Sequence, residues 1–172
     1  MKVTSAEAGK LVKKLEEKIS ALQALEEKSS VFRVASGEDE ELLRPVYDFL
    51  ESQKKLEGLQ ADLRTVKHAI NVFNTTHTLP GFDGMTVDQA LIALPQLSAQ
   101  KVKLSRFAER LPRERVMGYG AQSNIIDYTI ANYKIEDAAA EYDMVSDRLS
   151  KLQLALDKVN HSEKMEIDIT LE

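Results

Sequence analysis

The sequence predicts a mainly α fold: an antiparallel helical coiled-coil bundle with short β-strand or hairpin additions, in the α+β sense. Three observations predict it. Apolar residues return at heptad spacing over two long stretches, two-residue alternations flank the second stretch, and aromatic residues make up only 6% of the chain, with no Trp. Heptad spacing builds narrow helical seams, alternation builds half-buried strands, and a scarcity of large rings argues against a thick globular core.

The first helix is expected over about residues 5–27. Thr4 followed by Glu7 has the spacing of a capping box, in which each side chain takes up an end amide that would otherwise lack a partner. Leu11, Leu15, Ile19, Leu22 and Leu25 recur at three- and four-residue steps, with Lys13, Lys14, Glu17 and Lys18 off that line. Such a stripe needs a partner helix.

A polar segment leads into Glu38-Asp39-Glu40-Glu41, acids that oppose the positive end of a helix dipole and so read as a helix start. A second helix is expected over 40–71. Leu42, Phe49, Leu56, Leu63 and Ile70 fall at strict seven-residue intervals, with Val46, Leu59 and Val66 in the second seam position. Pro45 either opens the regular helix or separates a short preceding turn, and the first alternative is favoured.

Over 74–85 the period is lost. Asn74, Pro80-Gly81 and Asp83-Gly84 bracket Thr75, Thr76 and Thr78, which predicts a β-hairpin or ordered loop. Thr86 and Gln89 then form a second capping box, opening a helix over 86–110 through Ala90, Leu91, Leu94, Leu97, Val102 and Phe107, bent at Pro95 and stopped by Pro112. Leu111–Ser123, with Gly118-Tyr119-Gly120, has no period and reads as a mobile loop.

A β segment is expected over 124–131, where Ile126, Tyr128 and Ile130 alternate with Asp127, Thr129 and Ala131. The last helix, over 135–160, carries Ala138, Tyr142, Val145, Leu149, Leu152, Leu156 and Val159 in alternating steps of four and three. A final β segment over 165–171 alternates Met165, Ile167, Ile169 and Leu171 with Glu166, Asp168 and Thr170. A helix of about 26 residues spans ~39 Å and seven strand residues only ~23 Å, so strands folding back along the last helix overlap little. At least one strand is therefore expected to pair with the 71–85 segment or with another subunit.

Length predicts one domain over 1–172, and 43% hydrophobic with 30% charged residues excludes a wholly disordered chain. The absence of Cys removes disulfides, thiolate zinc sites and cysteine nucleophiles together, and fits a cytoplasmic location. No stretch has the apolar length of a membrane span and the N-terminus lacks the apolar core of a signal peptide, so no transmembrane segment is expected. A net charge of −5 makes nucleic acid an unlikely partner for the surface as a whole, leaving a local basic patch open.

Ile70-Asn71, Asn74, Asp83-Gly84, Thr86 and Ala90-Leu91 resemble the helix-loop-helix core of a small bacterial and phage family labelled septicolysin. Leu149, Leu152-Gln153, Leu156-Asp157 and Asn160 are similar to its last helix, so the resemblance covers most of the chain. It implies a helical protein with β additions and no particular reaction. The sequence departs from the pattern in a loop about two residues longer, and in Leu94-Pro95 where members carry an Arg-Asp pair; a site built on that pair is not expected here.

Two candidate sites stand out. Lys101, Lys103, Arg106, Arg110, Arg113 and Arg115 meet only Glu109 and Glu114 nearby, a local excess of cations suited to an anion, a nucleic acid or acidic lipid headgroups. Lys103, Arg106 and Arg110 share one helical face, as they also would on a solvated surface whose acidic partners, Glu38–Glu41 among them, lie elsewhere. Asn74, His77 and Asp83 share one loop in which Asp83 could orient His77 as a base, although the same residues make ordinary turns. His68, His77 and His161 lack the spacing of a helical zinc site, so no metal and no cofactor are expected.

No catalytic motif is found. The expected function is that of a non-catalytic, homo-oligomeric interaction or assembly protein, with protein partners possible. The alternatives are an anion- or nucleic-acid-binding module using the 101–115 segment and a membrane-active, cytolysin-like protein.

Overall fold

The computed structural model describes residues 1–116 and 126–169. In chain order its elements are β1 (Lys2–Thr4), α1 (Ser5–Ser29), α2 (Glu40–Leu43), α3 (Phe49–Thr76), α4 (Val87–Ala108), β2 (Arg113–Arg115), β3 (Tyr128–Ile130), α5 (Ile135–Ser162) and β4 (Lys164–Glu166). Among the described residues the chain is thus mainly helical with short β additions, as its periodicities predict, and the strands form two small antiparallel sheets. It forms two compact units, Met1–His77 with Val159–Glu172, and Thr78–Lys158.

In the first unit, α1 begins where expected. Thr4 Oγ1 accepts the Glu7 N–H at 3.2 Å and Glu7 Oε2 accepts the Thr4 N–H at 2.8 Å. The backbone bond from Thr4, followed by its hydroxyl, holds the Glu7 carboxyl below the ordinary carboxylate value. α1 packs on α3, with Ala8, Leu15, Val66 and Phe73 buried, while Lys67 Nζ reaches Glu16 Oε1 at 2.8 Å on the exposed side.

The helix expected over 40–71 divides instead into α2 and α3. Arg44 is extended (φ −64, ψ 119) because the ring of a following proline clashes with an α conformation. The chain re-enters a helix only at Asp48, whose Oδ1 accepts the Glu51 N–H at 2.9 Å. Pro45 therefore separates a short preceding turn, the alternative not favoured, and Leu42 and Val46 leave the seam. α3 also continues past residue 71, taking in Thr75 and Thr76, whose hydroxyls donate back to the carbonyls of Asn71 and Val72. The expected β segment over 74–85 reduces to one isolated bridge, Thr78 to Thr86.

β1 and β4 pair antiparallel in the register Lys2–Glu166, Val3–Met165 and Thr4–Lys164. The Met1 carbonyl accepts the Ile167 N–H at 2.8 Å, extending the ladder. Met165 and Ile167 are buried and Glu166 and Asp168 exposed, the alternation expected of this segment; residues 170 and 171 lie outside the described residues. β2 pairs with β3, Arg113 opposite Ile130 and Arg115 opposite Tyr128. Both strand pairings thus lie within the chain, and neither uses residues 71–85 or another subunit. Each partner is a three-residue strand, too short and too charged to show a period.

In the second unit, Thr86 caps α4 by the expected reciprocal pair with Gln89. Pro95 lies inside α4, which runs on to Ala108. The core takes Leu79, Val87, Ala90 and Leu97 from the loop and α4, and Ala138, Val145, Leu149, Leu152 and Leu156 from the seam of α5. Gly81 (φ 81), Asp83 (φ 44) and Gly84 (φ 77) take left-handed backbone in the turn that precedes α4. That turn is closed by the Leu79 N–H donating to the Met85 carbonyl at 2.8 Å.

Candidate functional site

The basic segment is assembled on two elements of the second unit. Lys103, Arg106 and Arg110 follow one another at three- and four-residue steps along the end of α4 and the turn after it, all exposed. The stretch after Leu111, read as a loop, instead forms β2, which sets Arg113 and Arg115 on one face of a two-stranded ribbon. The Gly118-Tyr119-Gly120 part of that reading lies outside the described residues.

Three rings interleave with these cations. Lys103 Nζ lies 5.5 Å and the Arg110 guanidinium carbon 5.5 Å from the centroid of Phe107. Phe107 stacks on Tyr133 at 5.2 Å, and the Tyr133 hydroxyl donates to the Phe107 carbonyl at 2.9 Å. The Arg113 guanidinium lies 3.7 Å over Tyr128. β3 was expected to be half-buried, yet Tyr128 and Ile130 are 43% and 66% exposed, because the ribbon shows its apolar positions to solvent and to the arginines rather than to a core. A groove of about 530 Å³ runs along this face of α4, lined by Ser98, Val102, Lys103, Arg106, Phe107 and Arg110.

Among the described residues, none of Lys103, Arg106, Arg110, Arg113 and Arg115 is within 4.0 Å of a carboxylate. Of the acids that could have neutralised them, Glu38, Glu40, Glu41 and Glu109 are engaged locally. Glu40 and Glu41 meet Arg44, the nearer at 3.1 Å, Glu38 accepts the Ala35 N–H at 2.9 Å, and Glu109 accepts from the Ser105 hydroxyl at 2.7 Å. Lys101 stands apart, its Nζ 5.6 Å from the Tyr142 ring. What the structure assembles is an uncompensated cationic surface braced by aromatic rings, suited to anions and to flat π systems.

The second candidate set has local structural roles. Asn74 lies in the last turns of α3, and His77 caps that helix in the first unit, its ring stacked on Phe73 at 3.9 Å and its Nδ1 3.1 Å from the Phe73 carbonyl. Asp83 belongs to the second unit, where it takes its left-handed turn. Among the described residues no group of three His, Asp or Glu is arranged to hold a metal.

No protein-family model and no curated protein matches the chain. Its structure is similar to that of a functionally unknown conserved protein from Corynebacterium diphtheriae. The TM-score is 0.57 at 18% identity, over 96% of this chain and 100% of that one. That likeness shows a shared fold.

Sequence reasoning found the five cations and missed Phe107, Tyr128 and Tyr133 as their companions. The signal for Phe107 was present, four residues after Lys103 and three before Arg110, hence on the same helical face. Tyr128 and Tyr133 come into play only through the β2–β3 pairing and the packing of Tyr133 on α4. Outside this surface, exposed apolar side chains gather around α2 and the start of α3, and a groove of about 770 Å³ runs between α1 and α3 past Leu15, Leu22 and Leu59. Among the described residues no helix is long and apolar enough to cross a membrane.

Proposed function

We propose that the chain is a non-catalytic interaction protein that self-associates through the segment from Leu42 to Leu50. One observation carries this reading. Leu42, Val46, Phe49 and Leu50 are 83%, 103%, 59% and 77% exposed, although three of them belong to the strongest heptad pattern in the sequence. Full burial of such side chains is worth about 1.5–3 kcal/mol each, so covering four of them offers on the order of 6–12 kcal/mol before the costs of association.

A second copy of the chain suits this surface. Glu38–Glu41 lie at one end of the segment and Lys54 and Lys55 beyond the other; Glu40, Glu41 and Lys55 have local partners on exposed surface and keep their charge toward a neighbouring copy. A two-fold, antiparallel contact brings the acidic end of each copy against the basic end of its mate. The septicolysin resemblance and a cytoplasmic location belong to the same proposal. The first rests on the Asn/Asp-Gly/Thr loop residues and the second on the absence of Cys.

Multi-angle light scattering at micromolar concentration tests it. A mass above that of one chain is expected, falling to one chain in the Val46→Asp/Leu50→Asp variant. A monomeric wild-type chain overturns the reading. A monomer that also releases dye from anionic liposomes turns the same apolar surface toward lipid instead.

A further inference from the structure

We propose that the face formed by the end of α4 and the β2–β3 ribbon is a binding site for single-stranded nucleic acid. Its phosphates would lie on Lys103, Arg106, Arg110, Arg113 and Arg115, and its bases would stack beside Tyr128 and the guanidinium it supports. The site lies in the second unit, uses none of the residues assigned to self-association, and stands or falls independently of it.

Three observations converge. First, the five cations have no carboxylate within 4.0 Å among the described residues; Glu40 and Glu41 meet Arg44, Glu109 accepts from Ser105, and Glu114 alternates with Arg113 and Arg115 and so falls on the other face of β2. Screening over ~8–10 Å makes the local excess of cations, rather than the net charge of the whole chain, what a phosphate meets at this face. Net charge therefore argues against a surface-wide interaction with phosphates and leaves this patch unaffected.

Second, three of the five cations are held by rings. The Arg113 guanidinium, 3.7 Å over Tyr128, and the Arg110 guanidinium, 5.5 Å from Phe107, are flat and weakly hydrated, and their ring contacts restrict them before any ligand arrives. A guanidinium plane lying on an aromatic ring offers its other face to a base, and Tyr128 remains 43% exposed.

Third, the surface is open. The groove of about 530 Å³ along α4 follows Lys103, Arg106 and Arg110, and the ribbon that follows in the chain carries Arg113 and Arg115 on one side. Base stacking beside a cationic track is how single strands are held without sequence preference. Duplex phosphates and lipid headgroups would use the charges and leave the rings idle, as would an acidic protein surface.

Fluorescence anisotropy of a labelled oligo(dT) of about 20 nucleotides, a length that exceeds one such site, tests the proposal on the full chain. Five phosphate contacts at a slope of about −0.7 each predict an affinity loss on the order of 100-fold between about 50 and 200 mM salt. The Arg106→Gln/Arg110→Gln/Arg113→Gln variant is expected to bind at least tenfold more weakly. Tyr128→Leu is expected to lose severalfold in affinity with the salt slope unchanged, and inorganic polyphosphate to compete poorly.

Absence of binding at low salt, a flat salt response, or equal binding by the triple variant overturns the proposal. Duplex, polyphosphate or anionic vesicles binding as well as oligo(dT) also overturns it, since stacking would then contribute nothing. So does a triple variant whose mass falls in light scattering, which would show the face covered by a second copy. Should the triple variant lose its helical circular dichroism, the exposed Arg106→Gln single variant and the wild-type salt slope decide the matter.

Discussion

The Tyr47 hydroxyl donates to Glu26 Oε1 at 2.7 Å, and the Gln53 side-chain amide donates to the same oxygen at 2.6 Å. One carboxylate near the end of α1 thus holds both the extended stretch after Pro45 and the first turns of α3. The bond to Glu26, followed by desolvation, pushes the Tyr47 hydroxyl up to about 12. A raised folded value favours the protonated phenol. The contribution is complete below the unfolded value of about 10 and is lost as pH rises toward the folded one. Ultraviolet titration should show a tyrosine step near pH 12, and Tyr47→Phe should abolish it.

Glu7 gives the opposite sign. Its carboxyl is held low by the bonds from Thr4, so its contribution is present above the ordinary carboxylate range and lost as pH falls through the lowered value. Denaturation midpoints followed on the acid side should flatten in Glu7→Gln. At the other capping box, Thr86→Ala should cost about 1 kcal/mol in urea unfolding.

The seam of α5 separates buried from exposed leucines within three residues. Leu152 is buried and Leu154 is 73% exposed. Leu152→Ala should destabilise by about 2–5 kcal/mol, from lost burial and the cavity left behind, and Leu154→Ala by no more than about 0.5 kcal/mol. Equal losses in chemical denaturation would show that Leu154 is covered in solution.

Pro45→Ala removes the clash that keeps Arg44 extended. Backbone chemical shifts should then show helical character spreading into residues 44–48, and the light-scattering mass should change with it, because Leu42 and Val46 would rejoin the helical face.

The helices were legible because their signals are local and repeated. The two capping boxes marked the starts of α1 and α4, and the stripe from Ala138 to Val159 named the buried face of α5, with Tyr142 half-buried within it. The pattern through Leu42 misled because periodicity carries no information about the backbone of Arg44, which its neighbour Pro45 decides. β1 and β2 were missed because three residues such as Arg113-Glu114-Arg115 hold no period at all, and their pairing is visible only across the fold. The cations of the candidate surface could be read from the sequence, and so could Phe107 on their helical face, whereas Tyr128 could not, since it meets Arg113 only once the ribbon has formed.

The pairing of β1 with β4 also sets an order of events. The Met1 ammonium donates to the Ile167 carbonyl across 166 positions, whereas Thr78–Lys158 is continuous in sequence. Closing so long a loop for a three-residue ladder offers little enthalpy for a large entropic cost. During synthesis the continuous unit can collapse while β1 is still without its strand partner. The β1–β4 ladder of the first unit can thus form only after the whole of the second unit has been made, and until then Lys2–Thr4 lacks its strand partner.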